Sequence, residues 1–266
     1  MALFDPPPLW AAVSAGQTEE ALRLLATDAD VQATNWAGTS VLHIAAEKGP
    51  QVIVQILLEK GAYVNRKTRE GYTPLHDAAH AGNGAIVEIL LEKGADVRLT
   101  TRGGVTPLQR AAEGGNAAVI QMLLAHGAAV HDTTPDGDTP LHSAAWNAQG
   151  AAIKILLDHG ADITAKDSDG QMPLHRAAEG GNAAVAQILL DEGADSCAKT
   201  CSGMTPEDLA SAPWQAGVVA VLQAYAAMRH ARCEAAAMGQ HQRLGAGSRL
   251  LRGLDPGVFR MILVQI

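Results

Sequence analysis

Histidine is the side chain in this sequence best suited to chemistry, since ten histidines occur among 266 residues. Imidazole binds metal ions and exchanges protons near neutral pH. A zinc-binding helix would need the pattern H-E-x-x-H, and the sequence has no such pattern. Four histidines instead occupy one position of a short recurring phrase: His43, His76, His142 and His175. This regular placement favours a structural role over catalysis or metal binding.

Other catalytic signatures are missing as well. The sequence has neither a G-x-x-x-x-G-K-[ST] phosphate loop nor a G-x-S-x-G nucleophile turn. Its three cysteines are Cys197, Cys201 and Cys233, an odd number at irregular spacing that fits a reducing compartment better than a disulfide framework. A zinc site would need a second pair beside the first two. We therefore predict a protein that is not an enzyme and has no metal or cofactor.

Composition and charge exclude further classes of function. A formal net charge of −8 argues against general nucleic-acid binding, which normally requires a basic surface. The chain has no apolar run of 18 residues, so we expect no membrane span. Its first ten residues lack the pattern of a secretory signal. We expect an intracellular protein of the cytoplasm, with the nucleus as the alternative.

The histidine phrase repeats at a fixed distance. Thr73-Pro74-Leu75-His76-Asp77-Ala78 recurs with small changes every 33 residues. The leucine of the phrase lies at Leu9, Leu42, Leu75, Leu108, Leu141 and Leu174. A constant period of this length indicates stacked copies of one small unit, each in contact only with its neighbours.

Each unit reads as two short helices. Thr73 can cap the first helix, and Pro74 suits its first position. Gly82 ends that helix, and the apolar stripe over residues 86–91 predicts a second one that Gly94 closes. Two helices and a turn cannot bury their own apolar face, so neighbouring units must bury it for them.

Period, phrase and glycine spacing together resemble the ankyrin repeat family over residues 5–231. The resemblance implies an all-α ankyrin-repeat solenoid of about seven helix-turn-helix units with projecting turns. The expected limits are a divergent first unit at 5–33, full repeats at 34–66, 67–99, 100–132, 133–165 and 166–198, and a divergent last unit at 199–231. Residues 232–266 would form a linker and an apolar C-terminal helix. We call the repeats by their order in this series, with 5–33 as the first.

The resemblance also implies which residues hold the stack together. The imidazole of the phrase should bond to groups of a neighbouring turn. The structural motif comprises Thr73, Pro74, Leu75, His76, Thr139, Pro140, Leu141 and His142. In the fifth repeat Ala148 replaces the glycine between the two helices, and there we expect a locally different loop.

Partners of ankyrin arrays generally bind in a concave groove formed by the turns and first helices. The implied groove positions flank the turn glycine and follow the Ala-Ala pair of the first helix. On this sequence we predict partner contacts from Trp36, Arg69, Tyr72, His80, Arg102, Glu113 and Trp146. Aromatic and arginine side chains dominate binding energy at protein interfaces. The predicted function is a non-enzymatic scaffold for an unidentified protein partner, with no small-molecule substrate and no nucleic acid.

The turns differ in charge along the array. The turn at residues 64–71 has three basic residues against one acidic residue, and the turn at 97–104 has two basic residues and none acidic. The turn at 130–138 has three aspartates and no lysine or arginine, and the one at 163–170 has two aspartates against one lysine. Complementary charge sets orientation and association rate, so we expect a partner with acidic groups near the third and fourth repeats.

The C-terminal segment allows a second interpretation. Leu254-Asp255-Pro256 followed by apolar residues is faintly similar to the start of an F-box, and its place after the array is that of a SOCS box. This resemblance implies a substrate-recognition adaptor of a ubiquitin ligase. The first interpretation has the C-terminal helix cap the stack, and the second has it bind another protein.

Overall fold

The computed structural model describes residues 7–27 and 29–243, and it confirms the all-α fold class. The chain divides into two compact units, Met1–Leu222 and Gln223–Ile266. Within the described residues the helices are α1 Pro8–Ser14, α2 Thr18–Leu25, α3 Val41–Lys48, α4 Gln51–Glu59, α5 Pro74–Ala81, α6 Gly84–Glu92, α7 Pro107–Gly114, α8 Ala117–Ala125, α9 Pro140–Trp146, α10 Gly150–Asp158, α11 Pro173–Glu179, α12 Ala183–Asp191, α13 Pro206–Leu209, a 3-10 turn Pro213–Gln215, and α14 Ala216–Arg243.

Helices of the same kind pack against each other from one unit to the next. The first helices form one layer, α1 on α3, α5, α7, α9, α11 and α13 in series, and the second helices from α2 to α12 form the other. The recurring leucines lie between the layers, and Leu42, Leu75 and Leu141 are fully buried. Burying one such side chain contributes about 1.5–3 kcal/mol. The array is a solenoid whose interior is built between units.

The phrase histidines connect each repeat to the next. His76 accepts from the Thr73 backbone N–H through Nδ1 at 3.1 Å, and its Nε2 donates to the Val105 carbonyl of the following repeat at 3.0 Å. His43 and His142 make the same two contacts, with Tyr72 and Gln171 as their carbonyl partners. One ring therefore caps its own helix and holds the next turn.

Two other side chain types make the same link. In the fourth repeat, Gln109 accepts from the Thr106 N–H at 2.8 Å and donates to the Asp138 carbonyl at 2.7 Å. In the first unit, Trp10 holds the histidine position, and its indole N–H donates to the Thr39 carbonyl at 3.0 Å. What these residues share is a donor that reaches the next unit, so the link does not require imidazole.

The turns form a second connection along the array. The backbone N–H of Arg69 donates to the Ala37 carbonyl at 2.9 Å, and that of Arg102 donates to the Glu70 carbonyl at 2.8 Å. The same bond joins Ser168 to Asp136 and Cys201 to Asp169. This bond is missing between the fourth repeat and the fifth. The donor position there is Pro135, which has no N–H.

The loop at Ala148 was expected to differ from its counterparts, but it has the same backbone conformation. Ala148 has a φ of 60°, close to the 73° of Gly82 and the 71° of Gly115 at the equivalent positions. It is the one positive-φ residue other than glycine among the described residues. Gln149 also keeps the bond to the preceding repeat, since its side-chain amide donates to the Glu113 carbonyl at 3.2 Å. Packing of both helices therefore imposes the left-handed conformation on alanine.

The last unit departs from the others. Its first helix, α13, has only four residues, whereas α14 has 28 and runs through residue 231. The limit drawn from the repeat pattern thus falls within a helix. The segment 254–266, predicted to be an apolar helix, lies outside the described residues. In the described part of the chain, no helix combines the length and apolar character needed to span a bilayer.

Candidate partner-binding groove

Two rows of side chains on the first helices face the turns. The first row is the residue after the phrase histidine or its counterpart: Ile44, Asp77, Arg110, Ser143 and Arg176. The second row follows the Ala-Ala pair three residues later, on the same helix face: Glu47, His80, Glu113, Trp146 and Glu179. Sequence reasoning identified the second row except for Glu47 and missed the first row. The missed signal is that this position varies inside an otherwise constant phrase.

An open pocket of about 570 Å³ lies at the N-terminal end of these rows. Three aromatic residues, Trp10, Trp36 and Tyr72, line it, and we call it the aromatic pocket. The structure thus brings together three predicted contact residues, Trp36, Arg69 and Tyr72. Trp36 is 73% exposed, and Trp10 is held by its bond to Thr39. Trp10 was not predicted, because the first unit lacks the phrase that marks this position.

The floor of the aromatic pocket is acidic. Asp77 and Glu47 line it from α5 and α3. Burial and, to a smaller extent, the negative charge of Glu47 raise the pKa of Asp77 to about 7, and the positive charge of Arg110 opposes this shift. A carboxyl group here is costly to ionise because the protein removes it from water and supplies a like charge nearby.

A network of contacts follows in the centre of the groove. The Arg110 guanidinium lies 5.5 Å from the centre of the Tyr72 ring and forms an ion pair with Glu113. The Tyr72 ring also meets His76 edge-on, with 5.8 Å between centres. His80 Nδ1 lies 3.9 Å from the Glu113 carboxylate. Tyr72, His80 and Glu113, all predicted contacts, are thereby linked, and Arg110 is the residue that links them.

A second pocket of about 240 Å³ lies near the other end, between Glu113, Trp146 and Arg176. Trp146 is 45% exposed. Arg176 lies 2.9 Å from the Asp167 carboxylate and 3.1 Å from that of Asp138. The Asp167 side chain is almost fully buried, so this ion pair is shielded from water. Trp146 and Glu113 therefore share one site, apart from Trp36 and Arg69.

Arg102 lies away from both pockets. Its side chain is exposed on the projecting turn, and its backbone N–H bonds to the turn of the preceding repeat. It belongs with the basic turn residues rather than with the groove floor. Five of the seven predicted contact residues line the two pockets, His80 lies on α5 beside Glu113, and Arg102 lies on the turn surface.

Over 7–27 and 29–243, no group of three or more histidine, cysteine or acidic side chains is arranged to hold a metal ion. Cys197 and Cys201 are free thiols, both exposed. The buried histidines are held neutral, since burial lowers the pKa of His43 and His76 to about 4. Their ring nitrogens are occupied by the backbone contacts described above.

A stack of paired helices with a varied groove defines a repeat protein of the interaction class. The family profile of ankyrin repeats matches three times, at residues 9–101, 98–167 and 152–228. The chain belongs to the ankyrin repeat family, whose members are typically non-enzymatic domains that bind protein partners.

Comparison with solved structures agrees with this membership. The ankyrin repeat domain of human ASB11 is similar to this chain, with 32% sequence identity and a TM-score of 0.70. The match covers 82% of this chain and 97% of that domain. A search of curated proteins found no match.

Proposed function

We propose that this protein is a non-enzymatic intracellular scaffold that binds a protein partner through the groove. The observation that carries the proposal is the placement of large side chains in the two pockets, with Trp36 at 73% and Trp146 at 45% exposed. Tryptophan and arginine are among the residue types that contribute most binding energy at protein interfaces. Partner contact comes from Trp36, Arg69, Tyr72, His80, Arg102, Glu113 and Trp146.

The charge of the turns supports an orientation for this partner. Basic residues dominate the turns of the third and fourth repeats, and aspartates dominate the next turn. The partner presents acidic groups to the basic turns. Its association rate falls as ionic strength rises, because salt screens exposed charges beyond about 10 Å at 0.1 M. A rate that does not change with salt would contradict this part of the proposal.

The groove is tested by affinity capture with the intact chain and with a five-alanine variant. The variant replaces Trp36, Arg69, Tyr72, Arg102 and Trp146 with alanine. The control replaces five exposed residues of the second helices with alanine: Gln55, Glu59, Glu88, Glu92 and Lys154. Partners that the control retains and the groove variant loses support the proposal. Equal capture by both variants, each confirmed as folded by thermal unfolding, would refute it.

A second candidate function is the ubiquitin-ligase adaptor. In this role the groove captures the substrate, and the C-terminal segment links it to the ligase. The similarity of the array to the ASB11 ankyrin repeat domain supports this candidate, since a SOCS box follows the ankyrin array in one family of such adaptors. The intact chain should then recover cullin-linking proteins, and a chain ending at Ala246 should not. Equal recovery by both chains would exclude the C-terminal segment as the link.

A further inference from the structure

The floor of the aromatic pocket has an acidic side chain without a partner. Within the described residues, the Asp77 carboxylate has neither a hydrogen bond nor an ion pair. The positive charge that acts on Asp77, that of Arg110, is paired with Glu113 and lies over the face of the Tyr72 ring. Partly buried carboxylates are normally compensated by a donor or a positive charge. Asp77 is therefore the group in this pocket that a bound positive charge would compensate.

The other charged side chains around the pocket also favour a positively charged occupant. Glu47 and Glu70 line it together with Asp77, and Arg69 is the single basic residue among its lining side chains. Arg69, Glu47 and Glu70 are exposed, so Asp77 is the one charged lining side chain that is partly buried. An acidic occupant would meet three carboxyl groups. An apolar occupant would remove water from Asp77 without offering it a partner.

The walls of the pocket suit a long side chain with a positive end. The faces of tryptophan and tyrosine rings attract ammonium and guanidinium groups within about 6 Å. Trp10 and Tyr72 are held in place, the first by its bond to Thr39 and the second by its contacts with Arg110 and His76. Trp36 is exposed beside them and can cover an aliphatic stem.

We propose that the aromatic pocket binds an arginine or lysine side chain presented by the protein partner. The stem lies against Trp36 and Trp10, and the charged end reaches Asp77 and Glu47. This inference rests on the proposed function and adds the chemistry of one contact to it. The basic turn residues other than Arg69 do not line the pocket, so a segment with one basic residue flanked by acidic ones satisfies both surfaces.

Capped tripeptides test the pocket without knowledge of the partner. The intact chain is titrated with Gly-Arg-Gly and Gly-Lys-Gly, and binding is followed by NMR of the tryptophan indole N–H groups. Replacing Trp36 with phenylalanine assigns its signal. The basic peptides should shift the Trp10 and Trp36 signals in a saturable manner. Gly-Gln-Gly, Gly-Leu-Gly and Gly-Glu-Gly should not shift them.

Matched variants test the role of the floor. Asp77→Asn should weaken binding of the basic peptides about tenfold, since it removes the charge and keeps the shape. Glu88→Gln removes one charge from the exposed face of α6 and should leave binding unchanged. Trp36→Ala provides a variant that should fold normally, because that side chain is largely exposed, and it should also weaken binding. Equal effects of Asp77→Asn and Glu88→Gln would overturn the proposal, as would equal binding of the glutamine peptide.

The experiment separates this inference from the proposed function. If the five-alanine variant loses its partner while the basic peptides fail to bind, the groove remains the interface and the basic-side-chain proposal is wrong. If the basic peptides bind and their binding requires Asp77, the pocket proposal is supported. If the five-alanine groove variant nevertheless captures the same partners, the proposed function is wrong.

Discussion

Two adjacent residues of each first helix behave in opposite ways. One row is nearly constant and buried: His43, His76, Gln109, His142 and His175. The row immediately after it has four residue types in five repeats and faces the groove: Ile44, Asp77, Arg110, Ser143 and Arg176. The two rows, which we call the frame row and the groove row, share the same helices and the same distance from the turns. Only what each side chain meets is different.

The frame row meets backbone, whereas the groove row meets side chains. His76 donates to a carbonyl of the next turn, and that carbonyl has the same position in every repeat whatever its side chain is. Arg110 instead pairs with Glu113 and contacts the Tyr72 ring, an aromatic residue that the other repeats lack at this position. A contact to a repeating backbone group restricts the residue type, and a contact to a varying side chain does not. Structural constancy and recognition can therefore occupy neighbouring positions.

The largest effect is expected from removing a frame leucine. Leu141 is fully buried, so Leu141→Ala should lower the free energy of unfolding by about 2–5 kcal/mol. The groove counterpart, Trp146→Ala, should change it by less than about 0.5 kcal/mol because the side chain is exposed. Urea unfolding of both variants measures the difference. A loss below about 0.5 kcal/mol for Leu141→Ala would place this leucine outside the interior.

Lowering the pH should destabilise the folded chain through the buried histidines of the frame row. The pKa values of His43 and His76 fall from 6.5 to about 4 in the folded chain, so the unfolded chain binds their protons first as the pH drops. Their contribution is complete above pH 6.5 and is lost towards pH 4, at most about 3 kcal/mol each. Replacing both with glutamine, which makes the same contacts at Gln109, should flatten this dependence. Urea unfolding between pH 7 and 4.5 tests it, and parallel curves would contradict it.

Asp77 of the groove row should make the folded chain less stable as the pH rises, the opposite of the effect of the frame histidines. The pKa of Asp77 rises from 3.8 to about 7, so its contribution is lost as the pH rises through this interval. Asp77→Asn should therefore gain stability relative to the wild type between pH 5 and 8, by about 1 kcal/mol after allowance for its partial exposure. The same unfolding series measures the gap. A gap that stays constant or narrows would show that burial does not disfavour this carboxylate.

The smallest effect on stability is expected at Ala148, in the loop between α9 and α10. Ala148 has a φ of 60°, where glycine occupies the equivalent position in neighbouring repeats. Ala148→Gly should raise the free energy of unfolding by about 0.5–1 kcal/mol, because the left-handed conformation strains alanine and not glycine. Thermal and urea unfolding can resolve such a change. A destabilised variant would mean that the alanine methyl group contributes packing that outweighs the strain.

Sequence reasoning reached the fold more completely than the groove. The 33-residue spacing of residues such as Leu75 and Leu141 was sufficient for the all-α repeat class. Trp36, Tyr72 and Trp146 were predicted from their repeat positions, and the structure shows that the first two share a pocket. Arg110 and Trp10 were missed. Arg110 is marked only by the variation at its place in the phrase, and the first unit lacks the phrase that would mark Trp10.

Repetition alone determined the stack, because a helix pair with one apolar face has no other way to remove that face from water. The regular spacing of the phrase, its leucine and its glycines makes this stacking readable from the sequence. The tertiary structure decided which groove side chains meet: Arg110 with Tyr72, Arg176 with Asp167, and Asp77 with none. Side-chain reach across repeats depends on the distance and rotation between units, and no single repeat encodes these.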